Sequence, residues 1–149
     1  MLQNILMVCV GNICRSPVAE ALFKQKLAEA SLDISVSSAG ISAVTNSHPD
    51  PVCVNLMNRM GLDISNYRAK QLSNHLAEGS DLILVMKNTQ IKAVTSAFFS
   101  AYGKVYCIGR WGDFDIADPH GKRPEEYEKA LALINRGIDD WLVKIKRIL

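Results

Sequence analysis

Apolar residues follow two rhythms along this chain. Weaker strand signals fall at Ile34 to Ser37 and Gly103 to Ile108, and two stretches are nearly continuous, Ile5 to Val10 and Asp81 to Met86. Such runs predict strands covered on both faces, as in a parallel sheet. Between them the apolar positions recur at helical spacing. Ala19, Leu22, Phe23, Leu27 and Ala30 make one face, in a helix that Ser16-Pro17 should open as cap and first residue. Asp50-Pro51 repeats that signal and predicts a helix to about Met60, stopped by Gly61. Asn88 is the expected cap of a helix through Ile91, Val94 and Phe98. The strongest helical pattern starts at Pro124 and runs through Tyr127, Leu131, Ile134, Ile138, Trp141, Ile145 and Ile148. Ser38-Ala39-Gly40 reads as a turn opening a polar loop, and residues 109 to 123 as a second loop.

Strands alternating with helices predict an α/β fold: an open four-stranded parallel sheet flanked by helices. A chain of 149 residues without repeats or a linker fits one domain over 1–149. In such sheets ligands bind beyond the carboxyl ends of the strands. The segment after the first strand, residues 9 to 16, occupies that edge.

Charge and cysteine content narrow the function. A net charge of +2, with no basic run, gives no reason to expect nucleic acid as a partner. No apolar segment approaches the ~18 residues that span a bilayer, and residues 1 to 4 lack a basic signal-peptide start. The expectation is a cytoplasmic protein without membrane insertion. Cys9, Cys14, Cys53 and Cys107 are scattered, and none forms a Cys-x-x-Cys pair. His48, His75 and His120 lie far from one another in sequence, so no metal site and no cofactor are expected. Cys53 and Cys107 read as core residues, and His48 and His75 as loop residues. Asp50 reads as a helix cap, and Tyr127 as the start of the last helix's apolar seam. Trp111 could border the site or an interface.

The candidate chemistry lies in Cys9-Val10-Gly11-Asn12-Ile13-Cys14-Arg15-Ser16-Pro17. A loop from strand to helix aims backbone N–H groups and the helix's positive end into one small space. Gly11 and Asn12 tolerate positive φ, so the loop can close on an anion as a nest. A cysteine at a strand end is ordinarily a packing residue. Arg15 and Ser16 in the same loop change that reading. The guanidinium offers paired donors for two phosphoryl oxygens, and the hydroxyl can hold Cys9 as a thiolate. A nucleophile in an anion cradle implies a tetrahedral phosphate electrophile. The loop lacks the terminal Gly-Lys-Ser/Thr of nucleotide-binding loops. A tyrosine leaving group has a pKa of about 10, so a carboxylic acid over the pocket would ease its departure. Asp113, Asp115 and Asp118 are all candidates on spacing alone.

Cys-x5-Arg-Ser after a strand, with Gly-Asn inside, Pro after and a late Asp118-Pro119, resembles the signature of low-molecular-weight protein-tyrosine phosphatases. The resemblance spans nearly the whole chain and includes Ser38-Ala39-Gly40 and Val85-Met86. It implies Cys9 as the nucleophile that forms a phosphocysteine, Arg15 as the phosphoryl clamp and Asp118 as the general acid. Val10, Gly11, Asn12, Ile13, Cys14 and Ser16 would line or support the loop, and Ser38 would fix Asn12. For Cys14 the residues suggest a small buried group, while the family suggests a protective Cys9–Cys14 disulfide.

The same resemblance implies pocket walls at Ile13, Val44 and His120. Related arginine-phosphate phosphatases carry Thr at the Ile13 position, so Ile13 favours phosphotyrosine. Eukaryotic members place an aromatic at the Val44 position, and many relatives place Tyr at the His120 position. Many also have Asp where Lys87 stands. These departures point to the bacterial branch, whose partners are autophosphorylating tyrosine kinases controlling capsule and exopolysaccharide export. Two rivals share the loop. A thioredoxin-linked arsenate reductase needs two further cysteines close together on a mobile segment, and residues 73 to 100 contain none. A non-catalytic phosphotyrosine-binding module would need no thiol.

Overall fold

The computed structural model describes residues 1–149. Its centre is a sheet of four parallel strands in the order β2-β1-β3-β4: β1 Asn4–Cys9, β2 Ser35–Gly40, β3 Leu82–Val85 and β4 Val105–Cys107. Five α-helices complete it: α1 Arg15–Glu29, α2 Pro51–Arg59, α3 Asn74–Glu78, α4 Asn88–Ala97 and α5 Pro124–Ile148. The fold is the open parallel α/β sheet that the apolar runs predict.

Side chains alternate across a strand, so β1 feeds two cores. Ile5, Met7 and Cys9 join the larger one with Leu22 and Phe23 of α1, Met57 of α2 and Ile134, Ile138 and Ile145 of α5. Leu6 and Val8 join the smaller one with Ile83 and Val85 of β3, Ala77 of α3 and Val94 of α4. Both faces of β1 are therefore dry, which is why its sequence shows no polar alternation. Truncating a fully buried residue such as Ile138 to Ala costs about 2–5 kcal/mol at sites of this kind. Close packing also fixes Gly137 of α5: a Cβ there would meet the Ile108 carbonyl oxygen at 2.8 Å.

Several local expectations need correcting. Helix α1 starts at Arg15 with Cys14 at its N-cap position, so Ser16 lies in the first turn and does not cap it. Its hydroxyl is engaged elsewhere, as described below. Ser38-Ala39-Gly40 is the end of β2, paired with Met7, Val8 and Cys9, and the loop opens only after it. Asn88 is the first residue of α4, and Lys87 precedes it as the cap. His75 lies in the short helix α3, which has no apolar rhythm long enough to read, although Ser73 caps it by accepting from Leu76 N–H. The seam of α5 ends at Ile145, because Ile148 is largely exposed. The Asp50 cap behaves as read, accepting from Val52 N–H at 2.9 Å. Gly61 follows α2 with φ 78°, a left-handed stop.

Candidate active site

The sheet brings the end of β1 beside its neighbours at the strands' carboxyl edge. There the backbone from Cys9 to Cys14 turns back on itself, and its carbonyls are drawn outward. Ile41 N–H donates to the Cys9 carbonyl, Ser42 N–H to that of Val10, Val44 N–H to that of Gly11 and Asp50 N–H to that of Ile13. In a planar trans peptide the N–H opposes the C=O. The N–H groups of Val10, Gly11, Asn12 and Cys14 therefore face the other way, into the bowl. None of these four finds an acceptor in the chain. Unpaired, convergent amides are the signature of an anion site.

Closing this loop requires one unusual backbone and one bare neighbour. Asn12 has φ 59°, and Gly11, expected to share the left-handed region, does not. Gly40 runs alongside: a Cβ there would sit 2.5 Å from the Val10 carbonyl oxygen and 3.0 Å from Asn12 Cβ. Any side chain on residue 40 would push the loop away.

The Asn12 side chain is buried, and all its polar valences are used. Nδ2 donates to Ser16 Oγ at 2.7 Å and to Ser38 Oγ at 3.1 Å. Oδ1 accepts from Tyr67 OH at 2.5 Å and from Lys70 N–H at 2.9 Å. Ser38 in turn donates to Tyr67 OH at 2.7 Å. Burial pushes the Tyr67 phenol up to about 12, so it remains a donor at every ordinary pH. Ser16 Oγ receives the Asn12 amide, which leaves its own hydrogen free. Cys9 Sγ lies 2.8 Å from it. Along Ser38, Tyr67, Asn12 and Ser16 the hydrogens thus pass toward the sulfur, while the second Asn12 amide hydrogen closes the ring back onto Ser38. Tyr67 and Lys70 were not foreseen, because residues 62 to 80 carry no motif and meet the loop only through the fold.

Arg15 is 2% exposed. Its Nη1 donates to the Ile116 carbonyl at 2.8 Å, and Nη2 lies 3.9 Å from Asp118 Oδ2. Of the three candidate acids only Asp118 reaches the bowl. Asp115 accepts from Asn88 N–H, and Asp113 sits in a left-handed turn after residues 110–112. The bowl opens into a cavity of about 240 Å³, with Cys9 and Arg15 at its base and Ile13, Val44, Ser42, Asp118 and His120 at its walls. All three predicted wall residues line it. Ser42 was not anticipated. Ser16 and Ser38 lie beneath, fully buried.

The segment carrying Asp118 is tied down by Asp50. Asp50 Oδ2 meets His120 Nδ1 at 2.7 Å and accepts from Tyr127 OH at 2.7 Å, and Tyr127 OH accepts from Gly121 N–H. Burial pushes the Asp50 carboxyl up, but the hydrogen bonds from Tyr127, His120 and Val52 outweigh it and leave it below the usual carboxylate value. Asp50 is thus both a cap and an anchor, and Tyr127 does more than pack.

Trp111, Cys53 and Cys107 fall outside the bowl, and the Cys14 thiol is engaged away from it. Trp111 packs edge-on against Trp141 at 5.5 Å and does not border the cavity. All four cysteines are free thiols. Cys14 Sγ does not turn to Cys9 but lies 2.7 Å from Cys53 Sγ. Cys53 and Cys107 are buried as expected.

A thiol, a guanidinium and a carboxyl around one amide-lined bowl can attack, clamp and protonate a phosphoryl ester. Comparison with known proteins identifies the family. Residues 4–148 match the family model for low molecular weight phosphotyrosine protein phosphatases. A probable low molecular weight protein-tyrosine-phosphatase, EpsP of Ralstonia nicotianae, is 43% identical over 148 residues, 99% of each chain. The crystal structure of the Erwinia amylovora tyrosine phosphatase AmsI superposes with TM-score 0.89 at 32% identity, covering 97% of this chain and 93% of that one. Vibrio vulnificus Wzb in complex with benzylphosphonate gives 0.90 at 33% identity, covering 97% and 99%. The chain belongs to the low-molecular-weight protein-tyrosine phosphatases.

Proposed function

We propose that the protein hydrolyses phosphotyrosine through a phosphocysteine on Cys9. The observation that carries this reading is the sulfur held by Ser16 at the floor of four inward N–H groups. The bowl accepts the three non-bridging phosphoryl oxygens, and Arg15 spans two of them. Cys9 Sγ attacks phosphorus in line with the ester oxygen. Asp118, at the wall opposite the floor, protonates the departing phenolate. It then takes a proton from the water that attacks the phosphocysteine, returning free thiolate and inorganic phosphate. The amides and Arg15 neutralise the phosphoryl charge at both steps, so the mechanism calls for no metal.

Specificity follows from the walls. Ile13 offers an apolar face for an aromatic ring, and Val44 and His120 bound the same cavity. The substrate we propose is a phosphotyrosine protein, in particular an autophosphorylating tyrosine kinase governing polysaccharide export. Aliphatic Val44 and the imidazole of His120 support that branch, as does the likeness to EpsP, AmsI and Wzb.

The test is a series of aryl phosphates with leaving groups of rising pKa. Asp118→Ala should lower kcat by about 10²–10⁴-fold for phosphotyrosine and far less for activated esters. Cys9→Ser should abolish turnover while retaining substrate binding. Equal losses across the series would remove Asp118 from the role of acid. Faster turnover of phosphoarginine or phosphoserine than of phosphotyrosine would overturn the substrate assignment.

A further inference from the structure

Cys14 and Cys53 are 39 positions apart, yet their sulfurs lie at 2.7 Å. That is well inside the roughly 3.5–4.0 Å of ordinary non-bonded contact and approaches the ~2.05 Å of an S–S bond. Both side chains are buried, and a cavity of about 10 Å³, enough for one water-sized molecule, is lined by both residues. Neither thiol has a part in the mechanism above. The neighbouring nucleophile is committed elsewhere, since Cys9 Sγ is held by Ser16.

We propose that Cys14 and Cys53 are a disulfide-forming pair, closed by a hydroperoxide, that clips the phosphate-binding loop to α2 and leaves Cys9 free. The reaction balances without other groups. One sulfur attacks the peroxide's terminal oxygen, breaking the O–O bond and releasing water or alcohol after protonation. The resulting sulfenic acid is attacked by the second sulfur, its hydroxyl leaves as water, and the S–S bond forms. The two electrons lost by the sulfurs reduce the peroxide.

Cys53 makes the first attack: it stands in the first turn of α2 and lines the small cavity. Cys14 is poorly suited to it: the hydrogen bond with Cys53 and then burial push its thiol far up. The sulfurs need to close by only a fraction of an ångström, so Arg15, the next residue in the chain, keeps its position. The clip also withdraws Cys14 from any bond with Cys9.

The experiment exposes the whole protein to hydrogen peroxide with inorganic phosphate present to cover Cys9. Titratable thiols should fall from four to two. A non-reduced peptide map should show one linkage, Cys14 to Cys53, reversed by a thiol reductant. The clipped protein should keep turnover within about twofold and gain roughly 5–10 °C in Tm, as a closed loop of this length allows. Cys53→Ala should keep its three remaining thiols and its basal turnover and show no gain. A Cys9–Cys14 linkage would overturn the proposal, as would four thiols surviving while unprotected Cys9 is oxidised. So would a thiol loss reversed by a chelator, which would instead indicate a metal held by Cys14, Cys53 and Asp50. Thiol counts and peptide masses do not depend on turnover, so this result stands apart from the phosphatase mechanism.

Discussion

Asn12 takes a left-handed backbone that costs about 1 kcal/mol or more for a residue with a Cβ, and its side chain must offset it. Four hydrogen bonds do so, and two of them also orient Ser16 and Ser38. The consequence is testable. Asn12→Gly relieves the backbone but removes the bonds, so turnover should still fall by about 10- to 100-fold. If strain relief were the whole role of the position, glycine would be neutral. Ser16→Ala removes the one hydrogen bond to the sulfur. A hydrogen bond to a charged group contributes about 1.5–3 kcal/mol, so kcat should drop by roughly 10- to 100-fold. Alkylation of Cys9 by iodoacetamide at neutral pH should slow in parallel. Unchanged alkylation would separate Ser16 from the thiolate. At this scale the sequence was most legible: Cys9, Arg15, Ser16 and Asn12 lie within one short motif whose spacing implies their meeting. Tyr67 and Cys53 were hidden because their partners are 55 and 39 positions away.

At the scale of elements, the start of α2 is the junction between the bowl and the segment carrying Asp118. Asp50 caps the helix, its N–H holds the Ile13 carbonyl, and its carboxylate receives His120 and Tyr127. Asp50→Asn should cost about 1–3 kcal/mol at pH 7, read as a lower denaturant midpoint. The sign with pH is fixed by the lowered carboxyl. The unfolded chain, at about 3.8, binds the proton more readily than the native one. The carboxylate's contribution is therefore complete above about pH 5 and fades as pH falls below 4, so wild type and variant should converge in acid. A gap that does not narrow at all as pH falls below 4 would show that packing, not charge, is at stake. Boundaries were the least legible part of the elements. Ser16-Pro17 looks like a helix start because serine and proline favour one, but the anion loop carries the chain into helical geometry at Arg15 and spends the serine's hydroxyl on Cys9. Ser38-Ala39-Gly40 looks like a turn because its residues are small. Gly40 is bare because the end of β2 lies tight against the loop.

For the whole molecule, the strand order β2-β1-β3-β4 puts β1 in the interior, with its carboxyl end facing the segments that follow β2 and β4. The bowl is built by β1 and α1, braced by residues 41–50 and 67–70, and covered by residues 116–121. The fold class could be read from strand segments alternating with amphipathic helices, led by the two apolar runs of β1 and β3, which are dry on both faces. The bracing could not, since it depends on which loops the topology brings to one edge. A ligand for such a preformed bowl stabilises the native state alone. Orthovanadate or phosphate at 100 times its Kd should add about 2.7 kcal/mol, visible as a raised Tm. Arg15→Ala should lose most of that rise. A rise that survives this substitution would place the anion elsewhere.

The central claim is a covalent bond between Cys9 and phosphorus. Its most direct measurement is the mass of the protein quenched in acid during turnover of an aryl phosphate, followed by mapping of the modified peptide. One phosphoryl group should appear on Cys9, accumulating further in Asp118→Ala with an activated ester and absent in Cys9→Ala. Steady turnover with no adduct on Cys9, or an adduct on another residue, would contradict the account.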